Sequence, residues 1–264
     1  IGRGAFGSVR LVEHKFTRLR YALKRIKKTD DKAMKGVWIE CELMGMMDHP
    51  FVLHLVKTFE TRDSIYILSE LITGGNLHEQ MQRMGVLTRK QSQFYVGSLV
   101  LILEHLHDKS IVYRDLKPEN VMLDAQGYLK LVDFGLAKKL EGKTYSMVGT
   151  LFYMAPEIVE GHGYTDTVDI WALGVMFFEF VCGIFPFGDE QADSELDVLG
   201  AILHDDLRFP PKYNDNAGKK CMQGMLNKDP SKRLGVSGYE EIKSQKYFKA
   251  GIRGDLWSMI IGRE

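Results

Sequence analysis

The chain has 264 residues, 45% of them apolar, which suits one large domain or two unequal lobes around a sizeable core. Lys plus Arg and Asp plus Glu number 35 each, and a formal net charge of zero argues against non-specific affinity for nucleic acid or a membrane surface. Three widely spaced cysteines, Cys41, Cys182 and Cys221, form neither a metal pattern nor an even-numbered disulfide framework, which points to a reducing, cytoplasmic compartment.

No signal peptide is in view, and the chain opens on Ile1 with no methionine, so a fragment of a longer protein is expected. Ile1-Gly2-Arg3-Gly4-Ala5-Phe6-Gly7-Ser8-Val9 contains G-x-G-x-x-G. A dinucleotide-binding turn has the same spacing but opens a helix, whereas Ser8 to Glu13 and Tyr21 to Ile26 are β-prone. Strand, glycine turn, strand therefore predict a hairpin lid whose backbone N–H groups can approach phosphate oxygens, with Ile1 and Val9 beside an adenine ring. A plain β-turn is the competing reading. Lys24, in the apolar run Ala22-Leu23-Lys24, is either an ordinary exposed strand residue or a point charge on nucleotide phosphates held by a carboxylate.

Met34, Val37, Cys41, Met44 and Met47 recur every three or four positions and mark one face of a helix over 31–47, which Asp48-His49-Pro50 ends. Glu40 borders that face and is the expected partner of Lys24; Glu42, on the other flank, is the alternative. Gly36 inside this helix costs about 1 kcal/mol relative to alanine, so the helix is expected to be mobile. Phe51 to Glu60 and Ser64 to Glu70 read as two more strands, making an N-terminal lobe of antiparallel sheet plus one helix over residues 1–70. Leu71 to Asn76, with two glycines, marks a hinge, and residues 77–264 form the larger lobe.

Thr88 to Gln91 is a capping box. The helix after it carries a core stripe of Tyr95, Leu99, Ile102 and Leu106. Then come Tyr113-Arg114-Asp115-Leu116-Lys117-Pro118-Glu119-Asn120 and Asp133-Phe134-Gly135. Asp115 and Lys117, two residues apart, can point the same way from an extended loop. Val121 to Asp124 and Tyr128 to Val132 predict a hairpin around Gln126-Gly127, which brings Asn120 and Asp133 to one end. Such hard oxygen ligands suit magnesium carrying phosphates. A polar surface loop is the bland alternative. Lys138 to Tyr145, then Ser146, Gly149-Thr150 and Ala155-Pro156-Glu157, make a long stretch without clear periodicity, usually functional or disordered. The most apolar run, 170–187, holds Glu179, Gly183 and Pro186 and reads as a buried helix ending near Cys182-Gly183, not as a membrane span. Asp169 is expected to cap turns of the loop at 113–120, and Arg233 to pair with Glu157. Trp38, Trp171 and Trp257 are expected to be packing residues. Residues 236–264 are helical or irregular.

Taken in order, Gly2-x-Gly4-x-x-Gly7-x-Val9, Ala22-Leu23-Lys24, Glu40, Asp115-x-x-x-x-Asn120, Asp133-Phe-Gly and Ala155-Pro-Glu157 resemble a eukaryotic protein kinase domain. The H-R-D pattern is kept except that Tyr113 replaces the histidine. Lys117 resembles serine/threonine rather than tyrosine kinases. Tyr113-Arg-Asp, Leu131 to Lys139 and Asp229-Pro-Ser-Lys-Arg233-Leu-Gly are similar to the cyclic-nucleotide-dependent (AGC) branch, above all to cGMP-dependent protein kinases.

The resemblance implies an α+β, bilobal fold and phosphoryl transfer from ATP to serine or threonine of protein substrates. It implies Asp115 and Lys117 as catalytic residues and Asn120 and Asp133 as Mg²⁺ ligands. It implies an ATP site made by residues 1–9, Ala22, Lys24, Glu40, Ser69, Glu70, Ile72 and Met122. Ser69 falls at the back of the adenine pocket and is small enough to admit bulky aryl ligands. Ser146 is the expected activating phosphorylation site, received by Arg114 and Lys138, with Thr144 as runner-up. Regulatory cyclic-nucleotide-binding domains would lie outside this chain.

Departures accompany the likeness. The branch's Gly-Thr-Pro-Glu-Tyr reads Gly149-Thr150-Leu151-Phe152-Tyr153 here, which removes an acid from the peptide-binding loop. Asn76 stands where a substrate-contacting glutamate is usual, while Glu119 and Glu179 match the acids that receive another substrate arginine. Gly36 replaces a histidine that helps hold a phosphorylated activation loop, and the branch's Phe-rich tail is absent from this sequence. The alternatives are another AGC or calcium-dependent kinase, a non-catalytic ATP-binding scaffold, and a dinucleotide-dependent oxidoreductase.

Overall fold

The computed structural model describes residues 2–4, 7–29 and 31–263. Strands β1 (Gly2–Gly4), β2 (Gly7–Glu13) and β3 (Arg20–Lys27) lead into helix α1 (Asp31–Gly45), followed by β4 (Leu55–Glu60) and β5 (Ser64–Glu70). The five strands form one antiparallel sheet of order β1-β2-β3-β5-β4. Its register sets Val9 opposite Lys24, Lys24 opposite Ile67 and Ala22 opposite Ser69. Side chains directly opposite one another share a face, and positions two apart on a strand share it too. Val9, Ala22, Lys24, Ile67 and Ser69 are thereby gathered on one side of the sheet.

Helix α1 packs its expected stripe inward. Cys41, Met44 and Met47 are buried, and Met34 and Val37 lie against Ile26 and Ile67. Trp38 departs from its expected packing role. It is 39% exposed, because one step of about 100° beyond Val37 carries it off the stripe. Gly36 has nothing within 4 Å of where a Cβ would stand, so no close approach demands a glycine there.

The strand read from Phe51 starts only at Leu55. Phe51 and Val52 are 0% and 2% exposed and belong to the main core. The Leu131 N–H donates to Phe51 O at 2.8 Å, and the Leu53 N–H donates to Leu131 O at 2.9 Å. A phenylalanine gains roughly 1.5–3 kcal/mol by full burial. Folding residues 51–53 onto the larger lobe therefore outweighs lengthening an edge strand.

The larger lobe begins with α2 (Leu77–Met84) and α3 (Arg89–Asp108). Two-stranded pairs follow: β6 (Ile111–Val112) with β9 (Lys138–Lys139), and β7 (Val121–Leu123) with β8 (Leu129–Leu131). The remaining helices are α4 (Pro156–Glu160), α5 (Thr167–Cys182), α6 (Glu195–His204), α7 (Asn216–Met225), α8 (Glu240–Lys243), α9 (Lys246–Lys249) and α10 (Leu256–Gly262). Thr88 and Gln91 form the expected reciprocal cap of α3. Leu99, Ile102 and Leu106 of that helix are fully buried.

Helix α5 is buried along almost its whole length and ends at Gly183 with φ 73°, as expected for a left-handed C-terminal glycine. Arg233 is fully buried beneath α4 and α5. It meets Glu157 through two bonds of 2.6 and 2.9 Å and also reaches the carbonyls of Thr167 and Asn227. A buried charge satisfied on this many sides is tolerated, whereas loss of either partner would strand the other. At the other end of the chain, Arg263 bonds Asp124 at 3.1 Å and lies over the Tyr128 ring, tying the segment after α10 back to the β7–β8 hairpin. Among the described residues no helix is long and apolar enough to cross a membrane.

Candidate active site

The loop after β6 is held from below by one carboxylate. Asp169, 1% exposed, accepts the N–H groups of Tyr113 at 2.7 Å and Arg114 at 2.8 Å, and pairs with His107 at 2.9 Å. Three charge-assisted bonds fix a backbone in which Arg114 has φ 69°, a strained value that needs such support. The Tyr113 hydroxyl donates to Val132 O. This ties the loop to the residue after β8, immediately before Asp133. Tyr113 thus spans the two motifs from the position where the pattern usually has histidine.

Above this base the polar side chains converge. Lys117 Nζ lies 3.1 Å from Asp115 Oδ2. Thr150 joins them: its hydroxyl accepts from Lys117 Nζ at 2.7 Å and donates to Asp115 Oδ1 at 2.8 Å. Asn120 directs its amide N–H groups at Asp115 O and Oδ2, both at 2.8 Å. That leaves Asn120 Oδ1 as the atom able to accept or ligate. Asp133 has φ 60°, and its Oδ1 accepts the Gly135 N–H at 3.1 Å.

Thr150 has no local signature beyond its Gly-Thr pair. Its place follows from Gly149, where φ is 114° and a Cβ would stand 2.8 Å from Arg114 O. Only glycine lets the chain press this close to the loop and deliver the next hydroxyl to Asp115.

The second half of the site is a cavity of about 340 Å³ between the sheet and β7–β8. Of the residues expected around the nucleotide and metal, Val9, Ala22, Lys24, Glu40, Ser69, Glu70, Ile72, Met122 and Asp133 line it. Met44, Leu53, Ile67, Leu71 and Val132, which no motif marks, complete it. Lys24 Nζ bonds Glu40 Oε1 at 3.0 Å, and Glu42 is exposed, so the choice left open by helix phase falls to Glu40. Burial, reinforced by the Glu40 carboxylate, pushes the Cys41 thiol up to about 11, so it stays protonated. Ser69 is 8% exposed. The Glu70 carboxylate is engaged by Lys130 at 2.7 Å and the His54 N–H at 2.8 Å. Gly74 passes so close to β7 that a Cβ would stand 2.5 Å from Leu123 O.

Of the glycine loop, Gly2, Arg3 and Gly4 in β1 pair with Val9, Ser8 and Gly7 in β2. That is a hairpin, not a turn into a helix. Ile1, Ala5 and Phe6 lie outside the described residues.

The protein kinase domain family matches residues 1–248. The chain belongs to that family. It is 46% identical over 269 residues to a cGMP-dependent protein kinase of Plasmodium berghei and 45% identical over 269 residues to one of Toxoplasma gondii. Both alignments cover all of this chain but only 31% and 26% of those proteins. The serine/threonine-protein kinase YPK2/YKR2 of Saccharomyces cerevisiae is 39% identical over 255 residues, covering 94% of this chain and 37% of that protein. The chain therefore spans a third or less of the length of its cGMP-dependent relatives.

The kinase domain also shows what surrounds the site. Asn76 caps α2, its Oδ1 accepting the Glu79 N–H at 2.8 Å. Glu119 is exposed, whereas Glu179 accepts the Tyr153 hydroxyl at 2.7 Å, and burial raises its carboxyl pKa. Ser146 is exposed, and its carbonyl accepts the Tyr164 hydroxyl at 2.6 Å. Thr144 is 2% exposed and bonded to Lys138 Nζ at 3.0 Å.

Proposed function

We propose that this chain transfers the γ-phosphoryl of ATP to serine or threonine hydroxyls of protein substrates, as a kinase domain of the cGMP-dependent type. In this reading residues 1–70 form the nucleotide-binding lobe, 71–76 the hinge and 77–264 the catalytic and substrate-binding lobe. The observation that carries the reading is the convergence of Asp115, Lys117, Thr150 and Asn120 beside a cavity that also holds Lys24, Glu40 and Asp133.

The donor set fits nucleotide and metal. The cavity is apolar over most of its lining and carries one cation, Lys24, with the carboxylates of Glu40, Glu70 and Asp133, as a flat base followed by phosphates requires. Among the described residues no three His, Cys, Asp or Glu side chains converge on one point. Mg²⁺ is commonly held by one or two protein oxygens with phosphates completing its shell, and Asp133 with Asn120 Oδ1 would supply those two. When bound, Mg²⁺–ATP supplies the phosphoryl group and neutralises charge on it.

The rest falls to the chain's own groups. Lys24, fixed by Glu40, orients phosphate oxygens. Asp115 accepts or orients the substrate hydroxyl proton, and Lys117 offsets charge that grows on the transferring group. Thr150 keeps the two in register. Little covalent work is asked of the protein, so positioning and preorganised charge carry the rate. The cGMP-dependent likeness, and the greater length of those relatives, support regulatory cyclic-nucleotide-binding domains elsewhere in the full protein.

Incubating the chain with γ-labelled ATP and mixed serine/threonine peptides tests this reading. Label should enter the peptides, and Asp133→Ala should lose it by about 10³-fold or more while the melting temperature stays close to that of the wild type. A variant that turns over like the wild type would refute the assignment.

A further inference from the structure

We propose that the ring pair Phe152–Phe185 is a specificity subsite that receives a bulky apolar side chain of the protein substrate, within about four residues of the acceptor hydroxyl. This rests on the phosphotransfer reading above.

Phe152 follows Thr150 by two residues, and the Thr150 hydroxyl is bonded to Asp115 at 2.8 Å. Two peptide units reach at most about 7 Å. Adding the length of a ring keeps the pair within reach of a peptide whose hydroxyl sits at Asp115. Phe152 rests with one side against the main core and is not wholly enclosed by it. It is half-buried and stacks on Phe185, with centroids 4.4 Å apart and planes at 17°.

Tyr153 braces the same Phe185 edge-on at 5.7 Å and is itself anchored by its hydroxyl to Glu179. The ledge is thus built before any peptide arrives, which lowers the ordering cost of binding. Ile184, next to Phe185, is 55% exposed and widens the apolar surface. No charge lies in 151–154 or 184–187. The Glu179 carboxylate is already engaged by the Tyr153 hydroxyl at 2.7 Å, and Glu119 and Glu190 stand nearby as exposed carboxylates. A leucine or phenylalanine side chain gives up no hydrogen bond by contact with these rings, whereas an arginine would have to shed water with no charge in 151–154 or 184–187 to meet it. Phe152 stands two residues from Thr150, whose hydroxyl meets Asp115, so the occupant assigned to this surface is the substrate chain itself.

A serine-centred peptide array, varying five positions on either side with γ-labelled ATP, tests this. The wild type should favour leucine, methionine or phenylalanine at one position within about four residues of the serine, by roughly tenfold in kcat/KM over glycine. Phe152→Ala should bring that ratio close to one through KM, and Phe152→Tyr should restore it. Ile184→Ser, at an exposed position that the fold does not depend on, should lower it in part. A preference that survives in Phe152→Ala, a flat profile, or selection of arginine at that position would overturn the proposal. Absence of label from every peptide with the wild type would instead defeat the phosphotransfer reading.

Discussion

Thr150 shows how much a single hydroxyl can hold at this site. It is both acceptor from Lys117 and donor to Asp115, and without it the lysine and the aspartate keep only their direct 3.1 Å contact. Thr150→Val keeps the shape and removes the bridge. The expected result is a kcat lower by roughly 10- to 100-fold with KM for ATP changed little, and recovery in Thr150→Ser. Steady-state kinetics with one peptide checks it, and equal kcat in all three proteins would remove Thr150 from the mechanism. The sequence did not reveal this role, because Gly149-Thr150 lies 34 residues or more after Asp115 and nothing local points one at the other. Asp115, Lys117, Asn120 and Asp133 were legible for the opposite reason. They sit in short motifs whose spacing already carries the geometry.

Among the elements, one contact between the segment after α1 and helix α3 is a pair of imidazoles. The His49 ring, after α1, lies 5.1 Å from the His105 ring on α3, and His49 Nδ1 accepts the Phe51 N–H at 3.2 Å. Burial, then His105 and Lys130, push His49 down from 6.5 to about 4, with Asp48 opposing. Burial also lowers His105, Lys109 adds to this, and Asp108 and Asp48 oppose. A histidine whose folded pKa lies below its ordinary value stays neutral in the fold while the unfolded chain takes up the proton. Its contribution is complete above pH 6.5 and is lost as the pH falls towards 4.

Allowing for the half-buried ring, the loss should be roughly 1–2 kcal/mol by pH 5. Urea midpoints at pH 7.5 and 5 should differ less in His49→Asn than in the wild type, and an unchanged difference would exclude the pair as the source.

The same region shows where pattern reading stopped short. The run from Phe51 reads as a strand, yet 51–53 bond to Leu131 across the lobes. Alternation reports that a segment is extended, not which partner it joins. Likewise helix phase left Glu40 and Glu42 open to Lys24, and only the docking of α1 on β3 and β5 resolves them.

For the whole molecule, the order of elements along the chain was enough to foresee a smaller sheet lobe and a larger helical lobe. The apolar run of α5 and the Arg233–Glu157 pair were also readable, because a long uncharged helix and a lone arginine in a capped turn each have few places to go. The Phe152–Phe185 stack was not. It joins segments 33 residues apart in sequence and depends on how the turn at 151–153 faces α5.

What the two lobes accomplish together rests on Asp115 facing the same cleft as Lys24 and Asp133. The most direct test pairs peptide turnover with ATP-binding calorimetry in the wild type and Asp115→Asn. The account predicts turnover lower by about 10²- to 10⁴-fold with ATP affinity changed by no more than about threefold. Turnover retained in Asp115→Asn would contradict it.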